Sequence, residues 1–186
     1  MVPYIDDPDV ELARRGDIAA FNKLVERHQS TVYNVCLRML GDVQHAEDAT
    51  QETFFAAYRS LKSFRGGVFR GWLLRIASNQ CYDQLRHRQR HPTEPMPEEP
   101  FLADPAASPD QAALSSEVIA AIERALRQLP ADQRLCVVLI DVQGLDYEEA
   151  AQAMNVNLGT VKSRLSRARA RLRELIPADF RLNRGE

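Results

Sequence analysis

A dense cluster of positive charge lies near the end of this 186-residue chain. The stretch from Lys162 to Arg173 carries six Lys and Arg residues and no acid, although the whole chain has a formal net charge of −2. Basic side chains at this density bind phosphate groups, and a helix that carries them can enter the major groove of DNA. A basic helix face can also be merely solvated, or bind an acidic protein. The surrounding pattern decides between these interpretations.

On a helix, each residue is rotated by about 100° from the one before it. With this rotation, residues 159–176 fall into three groups, each on its own part of the helix surface. The apolar surface holds Val161, Leu165, Ala168, Leu172, Leu175 and Ile176. The opposite surface, which we call the reading strip, holds Thr160, Ser163, Ser166, Arg167 and Ala170. The flanking cations are Lys162, Arg169 and Arg173 on one side of the strip and Arg164 and Arg171 on the other.

A second predicted helix, DYEEAAQAM, precedes this one and is joined to it by the short turn NVN. This spacing is typical of a helix-turn-helix, whose second helix places side chains against base edges. The apolar surface lies opposite the reading strip, so the strip can face bases while the cations meet both phosphate strands. The residues predicted to contact DNA are Thr160, Lys162, Ser163, Arg164, Ser166, Arg167 and Arg171.

A second basic segment, FRGWLLRIASNQCYDQLRHRQR, combines cations with aromatic side chains. Its arginines are Arg70, Arg75, Arg86, Arg88 and Arg90, and Asp83 is the one acid among them. Cations with nearby aromatic rings suit single-stranded DNA, because phosphates and unstacked bases are then both bound. For Trp72, packing in the core is the favoured interpretation over stacking on a base.

A third surface follows from the segment EDATQETF. On a helix, Asp48, Gln51, Glu52 and Phe55 share one stripe because they stand three and four residues apart. Such a stripe could bind a protein, but periodicity alone favours an ordinary solvated face with a partly buried phenylalanine.

The elements that position these residues are all predicted to be helices. Asp17, Asp42 and Asn157 are suitable N-caps, and Gly41 and Gly144 suit helix ends. Six of the ten prolines lie between Pro92 and Pro109, and residues 91–123 carry seven acids and no Lys or Arg. We therefore predict an all-α protein of two small helical domains, 9–90 and 112–176. A flexible, acidic, Pro-rich linker at 91–111 joins them, and a tail follows at 177–186.

Several classes of function are disfavoured by what the sequence lacks. It offers no nucleophile–base pair, phosphate-binding loop or metal-ligand spacing, so we expect no catalytic residues, no metal and no cofactor, and not an enzyme. The three cysteines stand far apart among apolar neighbours, which indicates buried, reduced thiols. The longest apolar run, CVVLI, is too short to cross a bilayer, and no signal peptide is evident. A cytoplasmic protein without membrane insertion or a small-molecule substrate is expected.

Four motifs occur together and in order: EDATQETF, FRGWLLRIASNQCYDQLR, LPADQRLCVVLIDVQGLDYEEAA and GTVKSRLSRARARL. In these motifs the chain resembles the extracytoplasmic-function (group IV) sigma factors of bacterial RNA polymerase. The resemblance covers roughly residues 9–90 and 112–176. It implies that the first range is sigma region 2 and the second is sigma region 4, a helix-turn-helix region.

The resemblance also implies partners and residue roles. Region 2 would bind the β′ clamp helices of core RNA polymerase through Asp48, Gln51, Glu52 and Phe55. It would capture and melt the −10 element of promoter DNA through Phe64, Arg65, Gly66, Gly67, Arg75, Asn79 and Arg86. Region 4 would bind the β flap and read the −35 element, and an anti-sigma factor is the expected regulator. The alternative is a stand-alone helix-turn-helix transcription regulator that acts without being a polymerase subunit.

Overall fold

The computed structural model describes residues 7–90 and 109–176, and for residues 109–116 it describes the backbone alone. Within these ranges every regular element is a helix, which confirms the predicted all-α class. The α-helices are α1 (Pro8–Arg14), α2 (Ile18–Leu40), α3 (Val43–Ser60), α4 (Phe69–Arg90), α5 (Pro109–Arg127), α6 (Ala131–Val137), α7 (Tyr147–Met154) and α8 (Leu158–Leu175). A 3₁₀ turn at Leu61–Ser63 follows α3, and a π-helical turn at Val138–Val142 continues α6.

Helix ends follow local chemistry. The side chains of Asp17, Asp42 and Asn157 accept hydrogen bonds from backbone N–H groups in the first turns of α2, α3 and α8, as predicted. Gly41 has φ 71° and ends α2 in the left-handed conformation that glycine adopts without strain. Helix α5 begins at Pro109, inside the predicted linker 91–111. The rest of that linker and the tail 177–186 lie outside the described residues.

The N-terminal helices α1 to α4 pack around one apolar centre. Helices α2, α3 and α4 contact one another, and α1 lies against α2. Leu24, Val32, Leu73 and Leu74 are completely or almost completely buried there. At one end of this centre the ring of Trp72 lies 5.2 Å from that of Phe64 and is partly buried, in line with the preferred core role of the tryptophan.

The C-terminal helices α5 to α8 hold the predicted helix-turn-helix. Helix α6 packs against α8, and residues 135–139 are all buried. The π-helical turn that follows carries Asp141 outward near α8, where the carboxylate bonds to Arg169. Gly144, with φ 70°, ends this segment before α7 begins.

The two groups of helices share a single continuous cluster of buried side chains. Helix α7 packs against α4, and α2 contacts α5 and α6. Polar contacts cross the same junction. The largely buried side chains of Arg38 and Glu123 form an ion pair with 3.1 Å between Nε and Oε1. The domains predicted as tethered units are therefore packed side by side.

Arg134 on α6 lies at the centre of this junction. Its guanidinium donates to the carbonyl oxygens of Met39 at 2.6 Å, Arg127 at 2.8 Å and Leu129 at 3.2 Å. These carbonyls belong to the last turn of α2 and the end of α5, where backbone oxygens have no partner within their own helix. Burial lowers the pKa of Arg134, yet an arginine keeps its charge in proteins.

All three cysteines are buried and unpaired. Cys36 on α2 and Cys81 on α4 are hydrogen-bonding neighbours within the N-terminal helices. Cys136 lies on α6, and its Sγ is 3.4 Å from the sulfur of Met154. Burial raises the pKa of Cys136 to about 11.

We expect Arg134→Met to lower the free energy of unfolding by about 2 to 4 kcal/mol, because it leaves carbonyls of two helix ends buried without a donor. Urea denaturation followed by circular dichroism measures the change. The control is Arg124→Met, at an exposed position of α5, which should stay within about 0.5 kcal/mol of the parent. Equal losses for the two variants would contradict the role given to Arg134.

Candidate nucleic-acid and polymerase interfaces

Helices α7 and α8 form a helix-turn-helix whose turn is fixed by local hydrogen bonds. Asp146 and Glu149 make a reciprocal capping box at the start of α7. Asn155 ends α7 in the left-handed conformation with φ 52°, which asparagine tolerates well. Asn157 then opens α8 by accepting from the backbone N–H of Thr160 at 2.8 Å. The turn between the two helices is therefore only three residues long, at residues 155–157.

The faces predicted for α8 are present. Val161, Leu165 and Ala168 are buried against the helices beneath, while Ser166 and Arg167 of the reading strip are exposed. The other hydroxyl groups of the strip are engaged locally. Thr160 donates its hydroxyl to Asn157 at 2.9 Å, and Ser163 donates to the Thr160 carbonyl at 3.0 Å.

Most of the flanking cations are held by partners from other elements. Arg164 pairs with Asp132 of α6, with 3.0 Å between Nε and Oδ2. Arg169 binds both carboxylate oxygens of Asp141, and the Nε to Oδ2 distance is 3.1 Å. The hydrogen bond to Asp141 raises the pKa of Arg169. Arg171 is exposed.

Lys162 makes a different kind of contact. Its ammonium lies 5.9 Å from the centre of the Tyr147 ring, within the range of a cation–π interaction. Tyr147 is the first residue of α7, so the aromatic ring ties the start of one helix to the cationic side of the other.

Helix α4 presents the second predicted DNA surface. Arg75, Asn79 and Arg86 are exposed and stand four and seven residues apart, so they share one side of the helix. Arg86 pairs with Asp83 one turn earlier. The loop before α4 adds Arg65, Gly66 and Gly67, which are exposed, and both glycines have positive φ, at 96° and 109°.

Phe64 differs from the other residues predicted at the −10 site because its side chain is only 5% exposed. Its ring packs against those of Phe69 and Trp72, at 5.9 Å and 5.2 Å between centres. In this arrangement the buried Phe64 ring anchors the loop to the core. A DNA base cannot stack on it, because Phe69 and Trp72 cover it.

Helix α3 carries the stripe predicted to bind polymerase. Asp48, Gln51 and Glu52 are exposed, and 53% of the Phe55 side chain is open to solvent. The opposite side of α3 is buried through Ala49, Thr53 and Ala57. The predicted stripe therefore lies on the solvent side of α3, with one aromatic ring among its polar side chains. Tyr58, one turn further on, extends the apolar part of this surface.

Helix α4 is in contact with the helix-turn-helix. Helix α7 packs on α4, and Arg70 of α4 donates to the backbone carbonyl of Gln143 just before α7. Tyr82, between Asn79 and Arg86 in sequence, is partly buried near Arg164, and burial raises its pKa to about 12.

Among residues 7–90 and 109–176, no group of three His, Cys, Asp or Glu side chains could hold a metal ion. No helix in that part of the chain has the length and apolar content needed to cross a membrane.

Sequence periodicity missed the partners that hold the cations. Asp132, Asp141 and Tyr147 lie 32, 28 and 15 residues before the cations they contact. The sequence gives one hint that Asp141 is a partner: this acid directly follows the apolar run CVVLI.

Comparison with known proteins matches both halves of the chain. The model of Sigma-70 region 2 matches residues 24–91, and that of Sigma-70, region 4 matches residues 119–172. The ECF RNA polymerase sigma factor SigE of Mycolicibacterium smegmatis is 40% identical over 87% of this chain, which spans 64% of that relative. The RNA polymerase sigma-H factor of Pseudomonas aeruginosa is 39% identical over 88% of this chain and 90% of the relative.

Two solved structures share the fold, each with a TM-score of 0.70. One is CnrH in complex with the cytosolic domain of CnrY, at 28% identity, covering 94% of this chain and 98% of CnrH. The other is the sigma factor RpoE of Bartonella quintana in complex with the anti-sigma factor NepR, at 30% identity, covering 86% of this chain and 98% of RpoE. The chain belongs to the sigma-70 family of RNA polymerase sigma factors, in its extracytoplasmic-function group.

Proposed function

We propose that this chain is an alternative sigma factor that binds core RNA polymerase and directs promoter-specific transcription initiation. The observation that carries the proposal is that one chain holds both a cation-flanked helix-turn-helix and an exposed Arg–Asn stripe on α4, and each suits a different part of a promoter. In this role the protein is a specificity subunit and performs no catalysis itself. It works in the cytoplasm, where polymerase and promoter meet.

The two surfaces divide the promoter between them. The reading strip of α8 faces the −35 element in the major groove, and the exposed Arg167 is the side chain best placed to donate to a base edge. The loop at Arg65–Gly67 with Asn79 receives the opened −10 strand, because an amide offers both a donor and an acceptor to an unpaired base. Two modest DNA contacts joined through one polymerase give a high overall specificity.

Promoter binding requires the two groups of helices to part. Positions −35 and −10 are about 25 base pairs apart, which is about 85 Å along B-DNA. In the structure the two groups of helices are packed together at the α4–α7 contact. The 18 residues 91–108 would span about 60 Å if fully extended, enough to let the two groups move far apart.

The stripe on α3 is the proposed contact with the β′ clamp helices, and region 4 is the proposed contact with the β flap. An anti-sigma factor is the proposed regulator, supported by the partners named for CnrH and RpoE. The stand-alone regulator is the less favoured function, because it gives no role to the exposed Phe55 surface.

Run-off transcription tests the function directly. We expect purified core polymerase to make promoter-specific transcripts from a genomic fragment library only when this chain is added. Promoter binding by the chain alone at physiological salt, with no polymerase-dependent transcript, would favour the stand-alone regulator.

For the α3 surface, we expect Phe55→Ala to weaken binding to core polymerase about tenfold, as loss of an exposed aromatic anchor does at many interfaces. Fluorescence anisotropy of the labelled full chain with core polymerase measures the affinity. Leu12→Ala is the control, since Leu12 is 44% exposed but lies on α1. Similar losses for both variants would show that general apolar exposure, and not this stripe, governs binding.

For the reading strip, we expect Arg167→Ala in the holoenzyme to cost about 1 to 3 kcal/mol of promoter affinity and to relax base preference at one −35 position. Lys162→Ala should weaken binding evenly across sequences and reduce the salt slope by about 1. Affinity for a set of −35 variants, measured at several salt concentrations, separates the two. Sequence-independent losses of the same size for both variants would contradict the division into strip and flanking cations.

A further inference from the structure

A cleft of about 270 Å³ lies between the start of α7 and the cationic side of α8. Its lining comprises Tyr147, Lys162, Leu165, Ser166, Arg169 and Arg173. The polar part of this lining consists of three cations and two hydroxyl groups. One of the cations, Arg169, is bound by both carboxylate oxygens of Asp141.

The three cations form a row along α8. Lys162 and Arg173 are 11 residues apart, which is about 16 Å at 1.5 Å per residue. Arg169 and Arg173 stand one turn apart, an unfavourable spacing for like charges on a helix. A row of this length matches a chain of successive phosphates better than a single small anion.

Two of these cations are held in place before any ligand arrives. Lys162 is drawn to the Tyr147 ring, and Arg169 is fixed through Nε and Nη2 by the Asp141 carboxylate. Arg169 also donates a side-chain hydrogen bond to Tyr147, so this residue at the start of α7 helps to hold both cations. A planar guanidinium held in this way loses little conformational freedom when it binds.

We propose that this cleft seats the phosphate backbone of one DNA strand, and that Asp141 and Tyr147 are positioning residues that hold Arg169 and Lys162 toward it. The proposal rests on the proposed function, since it makes the cleft the backbone contact beside the reading strip. It assigns a favourable role in DNA binding to an acid, which bulk electrostatics alone would not do.

The direction in which one substitution changes DNA affinity tests the positioning role of Asp141. Asp141→Asn removes a negative charge near the DNA, and charge alone would then tighten binding. Loss of the Asp141–Arg169 interaction should instead weaken DNA binding, on the order of fivefold. Glu148→Gln is the matched control, because Glu148 is an exposed acid in the first turn of α7 and does not line the cleft.

Affinities are measured by anisotropy in two settings, holoenzyme on a promoter fragment and the free full-length chain on a random 20-base-pair duplex at low salt. We expect Asp141→Asn to weaken binding in both, Glu148→Gln to leave it unchanged or tighten it, and Asp141→Asn to add no further loss to Arg169→Gln. Thermal melting checks that each variant is folded. In NMR spectra of the free chain, the Arg169 Nε–H signal should exchange with water faster in Asp141→Asn.

Four results would overturn the proposal: tighter binding by Asp141→Asn, equal effects of Asp141→Asn and Glu148→Gln, additive losses with Arg169→Gln, or unchanged exchange of the Arg169 signal. Unchanged DNA affinity together with weaker binding of an acidic peptide would assign the cleft to a protein partner and also overturn it. If the parent holoenzyme formed no promoter-specific complex, the proposed function would fail, while the random-duplex and NMR measurements would still decide the role of Asp141.

Discussion

Two helices, one from each half of the chain, end against the same guanidinium group. Arg134 binds carbonyl oxygens at the ends of α2 and α5, so the C-terminal helices can dock only where the end of α2 is within reach. The negative ends of the two helix dipoles meet at this cation. Helix α7 packs against α4 across the same junction between the two groups of helices.

Charge in this protein is arranged by pairing. The chain is slightly acidic, yet α8 presents a row of cations. Two of its arginines, Arg164 and Arg169, form ion pairs with acids of the segment that α8 packs against. Asp132 and Asp141 lie at opposite ends of the continuous α6 and π-helical segment, one for each side of α8. An acid placed under a cation limits repulsion within the helix and also fixes the direction in which the cation points.

Much of the fold was predictable from sequence because the helices begin and end at residues that act locally. Asp17, Asp42 and Asn157 act on N–H groups within three residues, and helical periodicity separates the buried and exposed faces of α8. The short helix α1 carries local signals of the same kind, since Asp7 is its N-cap and Pro8 its first residue. The packing of the two groups of helices was not predictable, since it depends on pairs such as Arg38 and Glu123 that are distant in sequence. The enclosure of Phe64 likewise depends on which rings meet in three dimensions.

The burial of the three cysteines determines how readily their thiols react with oxidants. A thiol reacts with oxidants and soft metals through its thiolate, and burial both blocks access to Cys136 and disfavours its ionisation. Cys36 on α2 and Cys81 on α4 are likewise completely buried. An oxidant would therefore reach any of the three thiols only after the helices around it separate or unfold.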